Sequence, residues 1–254
     1  MQYLQPFLYF VKKPKTGPTN VLIGCLGPLI PIVGEMVLLG YRAEVSEELE
    51  RDPDLKDHPD LSLDKLMVYL QRGVGPWLAR LVFAMIFVWP ALALAVGAGF
   101  GAHELISEPL FGFAVGAFVF LLMMMVGMTI LWPMEYHAQV TKTFSPIKEL
   151  AFAYRFARVC WFSTFVAVLM FNMLSGVLNL IGVLLLCIGL YPAYVIQQMA
   201  EQHIMTQLYL LYLEEGGEPI ELPESIKERR RDDVFEEEED QPKKRARRVE
   251  PEQQ

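Results

Sequence analysis

An all-α, polytopic helical membrane protein is the fold class this sequence predicts, and three observations carry it. Apolar runs of roughly 20 residues recur, the length a helix needs to cross a hydrocarbon core of about 30 Å. Charge is kept apart from them: hydrophobic residues make up 53% of the chain and charged residues 20%, with a positive mean hydropathy, yet the net charge of −8 comes mostly from residues 42–64 and 214–254. Amphipathic stretches ending in Trp lead into two of the runs, as expected where a helix passes from headgroups into lipid. Two transmembrane hairpins, a proline-broken first membrane segment and amphipathic interfacial helices follow.

Residues 1–19 place Tyr3, Phe7 and Phe10 on one helical side and end in Lys12, Lys13 and Lys15, a pattern for a short interfacial segment; no signal peptide is expected here. The helical membrane domain is predicted over 20–215, with membrane segments at about 20–41, 78–100, 110–132, 159–175 and 177–198. The charged stretch 42–64 reads as a solvated loop or one helical turn, given its Asp-Pro and His-Pro-Asp turns. Arg80 lies one turn inside the second segment, where its stem can snorkel. The Met run 123–125 reads as a soft packing surface. Between 159 and 198 the apolar pattern is too long for one span, and Leu174-Ser175-Gly176 marks the predicted break. Residues 199–215 are amphipathic, with Ile204, Leu208, Leu211 and Tyr212 opposite Glu201, Gln202 and Gln207, and stop at Gly216-Gly217. The remainder, 216–254, reads as a disordered charged cytoplasmic tail holding EEEED at 236–240 and KKRARR at 243–248. Cys25, Cys160 and Cys187 all lie in apolar runs without a C-x-x-C spacing and read as small buried hydrophobes.

Ser62, Lys65, Arg72 and Trp77 recur as Ser145, Lys148, Arg155 and Trp161, an offset of 83 residues that slips by one before the Trp. Lys65, Arg72, Trp77, Lys148, Arg155 and Trp161 are therefore candidate interface anchors, by duplication or by shared interface chemistry. Lys and Arg number 3, 5, 0, 4, 0 and 9 from the N-terminus through successive connectors to the tail. The positive-inside rule puts connectors 42–76 and 133–158 and the tail in the cytoplasm. That leaves the first segment contested, because Lys12, Lys13 and Lys15 also ask to be inside. Pro28, Pro31 and Gly34 form a breaker motif: each proline removes a backbone donor and disfavours helix at the preceding residue. Two readings stay open, a segment that enters and returns and a proline-kinked span.

The strings LIGCLGPLIPIVGEMVLLGYRAEV (22–45) and YLQRGVGPWL (69–78), with the Pro-Ile-Lys and Arg-x-x-Arg layout of 146–158, resemble an uncharacterised prokaryotic integral-membrane family, a domain of unknown function. The most specific part is Ile30-Pro31-Ile32-Val33-Gly34 with Leu39-Gly40-Tyr41. The resemblance covers most of residues 1–213 and implies a bacterial-type inner (plasma) membrane protein. It supplies no activity and no catalytic residues. In that family's pattern the place of Glu35 is uncharged, so the resemblance assigns this carboxylate no role.

Glu35 is the one acid in the middle of an apolar segment, and intramembrane acids are costly enough to be functional candidates by default. Arg80 and Arg42 are its possible partners. As structure, Glu35 could cap backbone donors freed by the prolines. Glu135-x-His137 and Glu201-x-His203 read as polarity where helices leave the membrane, because residues two apart on a helix face different directions. Asn172 and Asn179 flank the expected external turn and need no special role. No spacing of Ser/Lys, Asp/Asp or metal-binding His supports chemistry in the spans, so no catalytic residue, cofactor or metal is expected. The functional expectation is a non-enzymatic scaffold or accessory subunit whose partners are the lipid bilayer and cytosolic proteins reached through the tail, nucleic acid not being expected. The alternative is a small transporter or permease component that uses Glu35.

Overall fold

The structure is a computed structural model, and it describes residues 3–8, 16–51, 59–106, 108–185 and 187–222. Lys12, Lys13 and Lys15, and the tail with its acidic and basic runs, lie outside the described residues. Residues up to Pro219 form one compact unit, and a second begins at Ile220. The described residues form helices joined by turns and short connectors, without strands. The helices are α1 (Thr16–Gly24), α2 (Val33–Arg51), α3 (Leu66–Phe83), α4 (Trp89–Ile106), α5 (Pro109–Thr141), α6 (Pro146–Leu184) and α7 (Leu190–Glu214). Short 3-10 turns cover Pro6–Leu8 and Leu63–Lys65.

Residues 20–41 do not form one straight helix. With 9 residues, α1 rises only about 13 Å at 1.5 Å per residue. It ends before Pro28, and the chain reverses through 25–32 into α2. Pro31 holds the turn, and Ile32 takes φ 67°, a left-handed conformation that is strained for a β-branched side chain. The two limbs lie side by side: the Asn20 amide donates to the Tyr41 hydroxyl at 3.0 Å and to the Pro59 carbonyl at 3.1 Å. Asn20 Oδ1 in turn accepts from the Leu61 amide at 2.9 Å. Gly34 is required at the crossing, because any Cβ there would collide with the Gly27 carbonyl. The stretch 42–64, expected as a loop, begins as a continuation of α2 to Arg51.

Among the described residues three helices are long and apolar enough to cross a membrane: Leu63–Ile106, Pro109–Thr141 and Pro146–Leu184. The first is continuous because a π-helical turn at Ala84–Val88 joins α3 to α4. Pro90 explains it: the proline lacks an N–H for the Ile86 carbonyl and its ring crowds that group, which a widened turn relieves. In α6 the backbone leaves helical angles at Cys160 (φ −119°, ψ 20°), between its basic start and its apolar body. The break expected at Leu174–Gly176 is absent. Helix α6 runs through it, since a single glycine costs a helix only about 1 kcal/mol, and the chain turns back between α6 and α7, where Gly182 and Gly189 bring the two backbones together.

Helix α3 packs on α2 so closely that a Cβ at Gly40 would strike the Tyr69 carbonyl, and one at Gly73 the Met36 carbonyl. A buried cluster of Tyr41, Val45, Leu49, Leu61, Tyr69, Val195 and Met199 joins α2, α3 and α7. Tyr41 and Tyr69 meet edge to face, centroids 5.8 Å apart. Of the cysteines, Cys160 is buried, Cys25 half-buried and Cys187 exposed.

Candidate functional site

Glu35 lies in the first turn of α2, and Arg42 follows it two turns later on the same helix. Arg80 comes from the last turn of α3 and Glu135 from α5, just past Pro133. Helix α7 adds Gln198, Glu201 and Gln202, which share one face through i, i+3 and i, i+4 spacing. These side chains converge between the four helices. Arg80 Nε donates to Glu135 Oε2 at 2.6 Å and Nη2 to Glu135 Oε1 at 3.0 Å, a two-pronged grip. Its Nη1 donates to Glu35 Oε1 at 2.9 Å. Its Nη2 also reaches Gln198 Oε1 at 3.2 Å and Glu201 Oε1 at 3.7 Å. Arg42 Nη1 donates to Gln198 Oε1 at 2.6 Å and faces Glu135 Oε1 at 2.9 Å. Its Nε donates to Gln202 Oε1 at 3.1 Å, and Nη2 faces Glu201 Oε1 at 3.3 Å.

Burial grades the cluster. The side chain of Arg42 is 1% exposed and that of Glu135 2%, whereas Arg80 keeps 18% and Glu35 36%. Charge-assisted, bidentate bonds of this kind are the strong ones, and they offset a large desolvation cost only when the geometry is this complete. Glu201 carries the weaker contacts. Burial pushes its carboxyl above the usual range, with Glu135 acting in the same sense, against the attraction of Arg42 and Arg80. Burial also lowers His203 from 6.5 to about 4.

The two arginines singled out beside Glu35 are thus both present, though only Arg80 touches it; Arg42 instead serves Glu135 and Glu201. Those two acids do not decorate helix ends. They are buried core groups, and the middle of α7 is buried nearly all round, Glu201, Gln202, Ile204, Met205, Thr206 and Leu208 included. The signal in the sequence was the polar triplet Gln198, Glu201 and Gln202, at i, i+3 and i, i+4 spacing on a helix rich in apolar residues. His137 separates from Glu135: its Nδ1 pairs with Glu149 Oε2 at 2.5 Å and its ring lies 4.9 Å from that of Phe152.

The anchor residues behave differently. Lys65 pairs with Glu44 at 2.6 Å, Arg72 with Glu47 at 3.4 Å and Arg155 with Glu218 at 2.6 Å. Trp77 is half-buried, while Lys148 and Trp161 are exposed. Among the described residues no group of three His, Cys, Asp or Glu is placed to hold a metal ion. Arginines separate the three acids of the cluster. Elsewhere, a groove of about 510 Å³ between α4 and α5 is lined by Leu92, Phe100, Phe113 and Phe120, with His103 at its edge.

Fold and site together define the class: among the described residues, an all-helical protein with helices long and apolar enough to cross a membrane and a buried, mixed-charge cluster that joins α2, α3, α5 and α7. Comparison with family models, with curated proteins and with solved structures gives no match.

Proposed function

We propose that the chain is a non-enzymatic integral membrane scaffold or accessory subunit. The observation that carries this reading is the saturation of the cluster: both guanidinium groups are engaged by carboxylates and amides of the same chain, which makes them a clamp between helices. In this reading α1, the turn and α2 form a re-entrant element, its tip of Leu26, Leu29, Ile30 and Ile32 exposed to lipid. The helix running α3 to α4 pairs with α5, and α6 with α7, as two hairpins whose basic starts face the cytoplasm of a bacterial-type inner membrane. The charged tail then recruits cytosolic proteins.

Pull-down of the full chain from detergent, with and without residues 223–254, tests recruitment; an unchanged partner list sinks it. A reporter at Met1 tests topology separately. A cytoplasmic signal fits a re-entrant element, and an external one requires a crossing within the first segment.

A second reading, a small transporter or permease component, is favoured by one observation: Glu35 stands half-open at the edge of a buried charged cluster. Here flux in proteoliposomes decides. Flux in the wild type that Glu35→Gln abolishes supports transport, and no flux, or flux indifferent to the change, removes it.

A further inference from the structure

We propose that the cluster of Arg42, Arg80, Glu35, Glu135 and Glu201 is a proton-binding site, which holds one proton on Glu201 at neutral pH and exchanges it with solvent past Arg80 and Glu35. This inference rests on the cluster and is independent of the scaffold and transport readings.

Charge is the first argument. Three carboxylates face two guanidinium groups, so the fully ionised cluster carries one unmatched negative charge. Glu35 is 36% exposed and keeps water, so the shortfall reaches the buried acids as shared pairing, Arg80 serving Glu35, Glu135 and Glu201 together. A buried carboxylate whose pairing is incomplete takes up a proton more readily than a solvated one. Geometry selects which. Glu135 has both prongs of Arg80, a contact to Arg42 at 2.9 Å and a bond from Gln139 Nε2 at 3.3 Å. Glu35 has Arg80 at 2.9 Å and water on its open side. Glu201 has neither advantage: its arginine contacts are 3.3 and 3.7 Å and its side chain is 10% exposed. Its electrostatic neighbours are Arg42 from α2, Glu135 from α5 and Arg80 from α3, while Tyr194 of α7 feels Arg80, Glu35, Arg42 and Glu201.

Unpartnered atoms provide the second argument. Gln139 Oε1 and Gln202 Nε2 are buried without a hydrogen-bond partner, although each amide is tied into the cluster by its other end, Gln139 to Glu135 and Gln202 to Arg42. One needs a donor and the other an acceptor. Gln202 Nε2 finds its acceptor in either form of a carboxyl group, whereas Gln139 Oε1 needs a direct donor, which a carboxylic acid offers and a carboxylate does not. Burial supports the same assignment by holding the Glu201 carboxyl above its ordinary range. Release is a simple transfer from the carboxylic acid to water, leaving the carboxylate and hydronium. Arg80 and Glu35, the two most exposed members, mark the exit.

Infrared difference spectroscopy on the full chain in detergent tests this directly. At neutral pH the wild type shows the carbonyl stretch of a protonated carboxylic acid that shifts in D2O. In Glu201→Gln one carboxyl's worth of that band is lost; in Glu35→Gln it is retained. Glu201→Asp, which keeps the acid, moves the band without removing it and serves if the amide variant folds poorly. A wild type with no such band at neutral pH overturns the proposal whatever the variants do. So does a band that survives undiminished in Glu201→Gln, or one that disappears in Glu35→Gln alone.

Discussion

The α4–α5 hairpin and the α2–α3–α5–α7 junction are built on opposite rules. In the hairpin, Leu105, Leu110 and Phe113 point outward, and the helices meet through small residues, Gly99 against Gly112 and Ala95 against Gly116. At the junction aromatic and aliphatic side chains are buried around ion pairs. The difference teaches where the folding information sits. Lipid is as apolar as leucine, so apolar faces give helices in a membrane no preferred partner; close backbone approach and polar contacts choose it. The hairpin needs only adjacency in sequence, whereas the junction must collect four helices and does so with charges.

The largest effect should come from Arg80→Met, which leaves Glu135 buried without its two-pronged partner. A loss of about 3–5 kcal/mol in detergent unfolding is expected. Arg80→Lys should recover only part, because an ammonium cannot grip both oxygens. A loss below about 1 kcal/mol would make the junction no more demanding than the hairpin and erase the contrast.

Acid should act next, on α7. His203 is held at about 4 against an ordinary 6.5, so between those values the unfolded chain binds the proton and the folded one resists it. Its stabilising contribution, on the order of 3 kcal/mol, is present above 6.5 and lost as pH falls towards 4. Glu201, shifted upward, has the opposite sign: its contribution is full at low pH and declines as pH rises. Melting curves of His203→Gln across that window should lose the acid limb.

Gly73→Ala should follow, at about 1–3 kcal/mol, because the new methyl must push α3 from the Met36 carbonyl. Asn20→Ala belongs to the same range, about 1–3 kcal/mol, since it strands the Leu61 amide and unties α1 from Tyr41. Proteolysis within residues 16–32 should rise in that variant. The smallest effect is expected in the hairpin, at Gly97→Ala: nothing lies within 4 Å of the added Cβ, so stability should stay within about 0.5 kcal/mol. A large change there would mean that the outer face of α4 is covered by something in the membrane.

Much of this was legible beforehand, and the reasons are local. Apolar run length marked the three long helices, and Pro28, Pro31 and Gly34 marked the place where the first segment turns. The Ser175-Gly176 break was misplaced because those residues permit a turn without requiring one, while the contact of Gly182 with Gly189 that closes it is formed only in the fold. Glu135 and Glu201 looked like helix-end polarity for a similar reason, since a charged residue near an apolar run reads the same whether it faces water or a guanidinium.

By itself, then, the sequence determined a helical membrane protein, its apolar helices and a proline-broken first segment, because hydropathy and backbone restriction act over a few residues. Tertiary structure alone decided that Glu35 meets Arg80 across 45 residues and that Arg42 meets Gln202 across 160. Ion pairing depends on distance in space and on excluded water, and neither quantity is written in the local pattern of a chain.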